Sequence, residues 1–311
     1  MVNHHWLATN NRWQVTDDNF YLKRANRGSY NCQILMSFQT IAPVSMIQVT
    51  EFFLVWTACW LPLAIGCAIA IKWRPSQPIT SGQKLPLIAS LYAIAPLILW
   101  QASQILAVPF TNWGFTWNWH LLISSGVGFV IGAIGITSLF AGQIALGWVK
   151  WQQSEPKKSR QIASVVLLTL LLAVWISGTE ELIFRGFVFT QLERDFYLGW
   201  AAAISSLIFA LLHLVWEQKE TLPQLPGLWL MGMVLVLARW VDNGSLGLAW
   251  GLHAGWVWAI ACLDTLQVVV YTDNVAEWVT GKYGKPLAGV VGLLFLLATG
   301  TIIWLYRVFY A

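Results

Sequence analysis

Charge is scarce in this sequence. Of its 311 residues only 10% are Asp, Glu, Lys or Arg, while 57% are hydrophobic. Soluble domains carry about 25% charged residues, so a water-exposed globular domain is excluded. Cysteine is sparse too. Cys32, Cys59, Cys67 and Cys262 show no paired or metal-ligand spacing, which argues against a disulfide framework or a cysteine metal centre. The net charge of +4 is small and scattered, and it leaves no nucleic-acid footprint. There is no internal repeat and no low-complexity tract. The first long apolar run begins only at Phe52, too late for the h-region of a cleavable signal, so none is expected.

Apolar length and tryptophan are what the chain has in quantity. Its 21 tryptophans suit a bilayer, where Trp collects at the interfaces. A helix needs about 20 mostly apolar residues to cross the hydrocarbon core. Eight runs meet or approach that length: Phe52–Ile71, Leu87–Phe110, Leu121–Trp148, Ile162–Gln191, Leu198–Trp216, Leu228–Trp240, Leu246–Leu263 and Leu287–Tyr306. Inside lipid only helices and closed barrels satisfy every backbone group, and these runs are too long and too uniformly apolar for barrel strands. The expectation is an all-α, polytopic transmembrane helical bundle of about eight spans, an integral multi-pass protein with the lipid bilayer as its first partner. Residues 1–50 read as a polar, basic tail and residues 51–311 as the membrane domain. The fourth run would be about 45 Å long at 1.5 Å per residue, so it must tilt, bend near Gly178 or project from the bilayer. Lys72, Arg74 and Lys84 in the first loop, and Lys150, Lys157, Lys158 and Arg160 in the third, predict that these loops are cytoplasmic.

Five ionisable residues stand out within the runs. Glu180, Glu181 and Arg185 lie in the fourth, in "ISGTEELIFRGFVF", His213 in the fifth and His253 in the seventh. A charge at mid-bilayer costs about 2.5–3.5 kcal/mol on translocon scales, so each needs a reason. Glu181 and Arg185 stand at i and i+4, on one helix face, where they can pair. Glu180 is rotated about 100° away and has no partner within its own helix, which makes it a candidate general base. His213 and His253 can exchange protons near neutral pH or ligate a metal. One Glu and two His from three helices could form a His2Glu metal site, Glu180, His213 and His253 binding a divalent ion such as zinc. They could equally form a metal-free site that activates water. Ser205, Ser206, Gly251, Ala254 and Gly255 would let the helices approach closely. The competing reading makes Glu181–Arg185 a structural clamp and each His a hydrogen-bonded packing residue.

Glu180-Glu181-x-x-x-Arg185, Phe209-x-x-x-His213 and His253, in this order and in successive spans, resemble the CPBP group. That group comprises the type II CAAX prenyl proteases and the bacteriocin-processing, Abi-like membrane proteases. The resemblance covers about residues 160–262. It implies a glutamate-dependent hydrolase: an intramembrane endopeptidase, and a metalloprotease if zinc is bound. The substrate would be a membrane-associated peptide or protein, prenylated or bacteriocin-like. By analogy Glu180 activates water, His213 positions it or a metal, Glu181 and Arg185 hold the motif helix in register, and His253 stabilises the oxyanion or ligates metal. In one respect the chain departs from the pattern: four residues after the third-motif His the family usually has Asn or Asp, and here stands Val257. Asn243 is one candidate substitute. The alternative is a catalytically inactive CPBP-like scaffold or partner-binding protein. No soluble-type His-Glu-x-x-His motif is present.

Overall fold

Runs that cannot hydrogen-bond to lipid must satisfy their backbone internally, and the chain does so with long helices. A computed structural model describes residues 43–74, 80–152, 159–216, 218–272 and 274–310. Residues 1–42, most of the expected tail, lie outside the described residues. In chain order the long helices are α1 (Val44–Ala70), α2 (Ser81–Leu106), α3 (Trp119–Ala145), α4 (Ser159–Glu181), α5 (Leu198–Leu212), α6 (Leu225–Val241), α7 (Gly247–Leu266) and α8 (Val290–Tyr310). Two three-residue strands, β1 (Val149–Trp151) and β2 (Val269–Tyr271), pair antiparallel with Val149 opposite Tyr271. They tie the segment after α3 to the segment after α7.

Among the described residues, seven helices are long and apolar enough to cross a bilayer. This is an integral, multi-pass, all-α membrane protein. α7, the remaining long helix, is diluted by His253, Asp264 and three glycines, and its residues 251–256 are buried among neighbouring helices. α1 begins at Val44, not at Phe52, because Val49 and Phe52 pack inward on one face while Gln48, Thr50 and Glu51 interrupt only the apolar run. Its first turn is capped from elsewhere: the Ser45 amide donates to Asp195 Oδ2 at 2.8 Å. That bond holds the Asp195 carboxyl below its ordinary range, as expected for a carboxylate at a helix N-terminus.

α7 is positioned by small residues and by indoles. A Cβ added to Gly128 or Gly132 of α3 would lie 2.5 Å from the carbonyl oxygen of Leu248 or Leu252. On the other side of the contact, Gly251 and Gly255 press on the α3 backbone at Ser125 and Phe129. Such small-residue stripes let helices meet backbone to backbone in lipid, where no hydrophobic force drives them together. Against α4, Trp250 Nε1 donates to the Val174 carbonyl at 2.8 Å and Trp258 Nε1 to that of Val166 at 3.1 Å. α4 runs without a break through Gly178. The glycine makes room for the Trp250 ring, which a Cβ would meet at 2.8 Å. Asp242 Oδ2 accepts from the Leu248 amide at 3.0 Å and so caps the start of α7.

Gly132→Val should therefore force α3 and α7 apart. Overpacking of this kind costs about 1–3 kcal/mol. The expected outcome is a lower thermal midpoint of the purified protein in detergent, with Gly142→Val, where the added atoms meet open space, as the unchanged control.

Candidate active site

Past Glu181 the fourth helix changes its winding. Leu182–Val188 is π-helical before a last α turn, Phe189–Leu192. A π stretch misaligns the backbone ladder and is common at functional sites. The carbonyls it frees are taken by other helices. Ser205 Oγ of α5 donates to the Phe184 oxygen at 2.8 Å, and the Arg239 guanidinium of α6 donates to the Arg185 carbonyl. Arg239 also donates to Thr190 Oγ1 at 3.1 Å and to the Gly244 carbonyl at 3.1 Å. Beyond Glu181 the long fourth span is thus rewound, and α5 and α6 supply donors there.

The motif residues sit at the start of this stretch. Glu181 and Arg185 are both 0% exposed, and Arg185 Nη1 donates to Glu181 Oε1 at 3.1 Å. The same oxygen receives His253 Nδ1 at 2.8 Å. A carboxylate oxygen can only accept, so Nδ1 carries the hydrogen in this contact. The His253 ring then turns Nε2 toward Glu180, whose Oε2 is 3.6 Å away. Phe209, fully buried, separates the charged groups: the Arg185 guanidinium lies 4.4 Å above its ring centre, with the His213 ring edge-on at 4.6 Å and that of His253 at 6.0 Å. The motif phenylalanine is thereby an aromatic partition and a cation–π partner.

Glu180 lacks a partner in its own helix and finds two elsewhere. Besides His253, Tyr92 of α2 donates its hydroxyl to Glu180 Oε1. Glu180 and Tyr92 border a cavity of 240 Å³ together with His213, Phe53, Trp56 and Phe184. His213 holds its Nδ1 2.8 Å from the Phe209 carbonyl. That oxygen requires a donor, so in the neutral ring Nε2 keeps the lone pair. The structure therefore joins Glu180, Glu181, Arg185 and His253 by direct contacts, and brings His213 to Glu180 across one cavity.

Two residues of this arrangement are missing from the sequence reading. Arg239 is a charge inside the sixth apolar run and could have been found by the test that picked out Arg185. Tyr92 had no signal, because a tyrosine in an apolar run is unremarkable by composition. The suggestion of Asn243 as a substitute for the missing polar residue does not hold. Its Oδ1 accepts from Arg307 at 2.9 Å, and it borders a different cavity, with Asn118 and His120.

Residues 162–259 match the family described as type II CAAX prenyl endopeptidase, Rce1-like. The match agrees with the resemblance to CPBP proteases and supports, as a general class, an intramembrane endopeptidase of the CAAX type. No curated protein and no solved structure shows a significant match to the chain. Within the matched residues lie Glu180, Glu181, Arg185, His213 and His253, whereas Tyr92 lies outside them. As to zinc, the described residues contain no group of three or more His, Cys, Asp or Glu that could hold a metal ion. With His253 Nδ1 on Glu181 and His213 Nδ1 on the Phe209 carbonyl, Nε2 is the nitrogen each ring has left to offer a metal.

Arg185→Ala would leave Glu181 buried without its cation. Breaking a buried pair costs about 3–5 kcal/mol, and a correspondingly lower unfolding midpoint is expected. Ser205→Ala, which strands the Phe184 carbonyl of the π stretch, should cost about 1–3 kcal/mol by the same measurement.

Proposed function

We propose that the protein hydrolyses a peptide bond of a membrane-associated substrate, with Glu180 as general base. The observation that carries this reading is Glu180 itself, a carboxylate on a cavity that also holds His213 and is otherwise walled largely by aromatic rings. A water between Glu180 and His213 would lose a proton to the carboxylate as its oxygen attacks the scissile carbonyl carbon. The proton would then pass from Glu180 to the departing amide nitrogen as the C–N bond breaks. General acid–base help of this kind contributes typically 10²–10⁴-fold. His213 Nε2, with its lone pair, would accept from the attacking water and orient it. Glu181 and Arg185 would act as positioning residues, and His253, when doubly protonated, would pair with Glu180 through Nε2.

The low-dielectric walls strengthen each of these electrostatic contacts. They also suit a lipid-modified chain, so a prenylated peptide is the substrate class we favour, with a bacteriocin-like leader as the other form of membrane-associated peptide. For a divalent ion such as zinc the candidate ligands would be Glu180, His213 and His253, which would have to draw closer together to hold it. The steps above use only the chain's own groups. Val257 favours a second reading, an inactive scaffold on the same frame.

Glu180→Gln tests the choice, because it removes the base and keeps the shape. In detergent, cleavage of prenylated peptides should fall at least about 10²-fold with the unfolding midpoint retained, metal content being determined on the same samples. Unchanged activity in the variant would refute Glu180 as the base and leave the scaffold reading.

A further inference from the structure

Attack on a peptide carbonyl places negative charge on its oxygen, and a cavity lined by apolar rings offers that charge little. Donor hydrogens aimed at the developing charge are worth about 10²–10³-fold in kcat each. Several donors around this cavity are already committed. The Trp56 and Trp60 indoles donate to the Leu91 carbonyl at 3.2 Å and to Ser90 Oγ at 3.0 Å, and His213 Nδ1 is held by Phe209. Arg185 is fully enclosed by Glu181 and Phe209. Val257, one turn beyond His253, has no donor at all. The cavity hydroxyl that touches the base is that of Tyr92.

We infer that Tyr92 is a catalytic residue, the oxyanion donor of this protein, supplied by α2 from outside the matched core. The inference rests on the endopeptidase reading and deepens it. In water attack, the base and the oxyanion both flank the same tetrahedral carbon within about 3 Å of the reacting atoms. A hydroxyl resting on the base is therefore within reach of the oxyanion. The chemistry also moves the donor in the right direction. Hydrogen bonds to an ionised acceptor are roughly twice as strong as those between neutral groups. As Glu180 takes the proton from water it becomes the weaker acceptor, the new oxyanion the stronger one, and the phenol O–H transfers its hydrogen bond accordingly. Tyr92 keeps its proton throughout. The C–O bond forms, the C–N bond breaks, and the proton passes by way of Glu180 to the amine.

The test compares wild type, Glu180→Gln, Tyr92→Phe, Tyr92→Gln and Tyr92→Phe with Val257→Asn on one cleaved peptide, with kcat, KM and unfolding midpoint measured for each. Tyr92→Phe should lower kcat by about 10²–10³-fold while KM stays within about threefold, since the lost contact belongs to the transition state. Tyr92→Gln, which keeps a donor hydrogen, should retain more activity than Tyr92→Phe, and Val257→Asn should return part of the loss by supplying a donor from α7. A kcat for Tyr92→Phe within threefold of wild type would overturn the inference. So would equal losses in the Phe and Gln variants, which would show a packing role. If Glu180→Gln abolishes cleavage and Tyr92→Phe does not, the endopeptidase reading stands and this inference alone falls. If wild type cleaves no peptide, or Glu180→Gln remains active, both fall together.

Discussion

One carboxylate oxygen organises this membrane core. Glu181 Oε1 accepts from Arg185 Nη1 within its own helix and from His253 Nδ1 across to α7. A buried charge in a low-dielectric interior is tolerated only when it is paired and hydrogen-bonded, so the three residues are obliged to keep this geometry. The consequences spread outward. Among the described residues the second Glu181 oxygen has no hydrogen-bond partner, nor have Nε and Nη2 of Arg185. The Phe209 ring beneath the guanidinium supplies part of the missing stabilisation. With Nδ1 fixed on Glu181, the imidazole can only face Glu180 with Nε2, and Glu180 in turn faces the cavity.

The same region shows how a membrane protein places an irregular backbone at depth. Non-helical or rewound segments survive in lipid when neighbouring side chains satisfy the freed carbonyls. Ser205 and Arg239 perform that task for the π stretch. Arg239 is costly to bury, yet it closes three acceptors from two segments, at Arg185, Thr190 and Gly244. The rewinding follows the two glutamates directly, so the winding of the helix and the direction of the Glu180 carboxylate are set together.

Tyr92 and Val257 bear on how far family likeness reaches. The Rce1-like match ends at residue 259 and begins at 162, yet the wall of the cavity opposite Glu180 comes from α1 and α2. Whatever enters the cavity meets residues that the motifs do not include. A polar group absent from one helix and a hydroxyl offered by another are equivalent to a reacting atom, provided both lie within hydrogen-bonding distance.

Much of the fold was legible because the constraint is strong and local: in lipid, a long uncharged run has little choice but to be helical. Existence and order of the helices followed from that rule, while their ends did not. α1 starts at Val44 because Val49 and Phe52 find packing partners, a fact that lies outside the run itself. The i, i+4 pairing of Glu181 with Arg185 was equally readable, since helix geometry alone brings them together. The partners of Glu180 were not, because Tyr92 is 88 positions away and nothing in local spacing links the two. Nor could spacing reveal the π stretch, which depends on donors from α5 and α6, or the true use of Gly178, which makes room for Trp250. The sequence by itself determined which segments enter the bilayer and which charges must be hidden there. Only the tertiary structure decided what those charges touch, because in lipid a polar group is satisfied by whichever helix packing brings within about 3 Å.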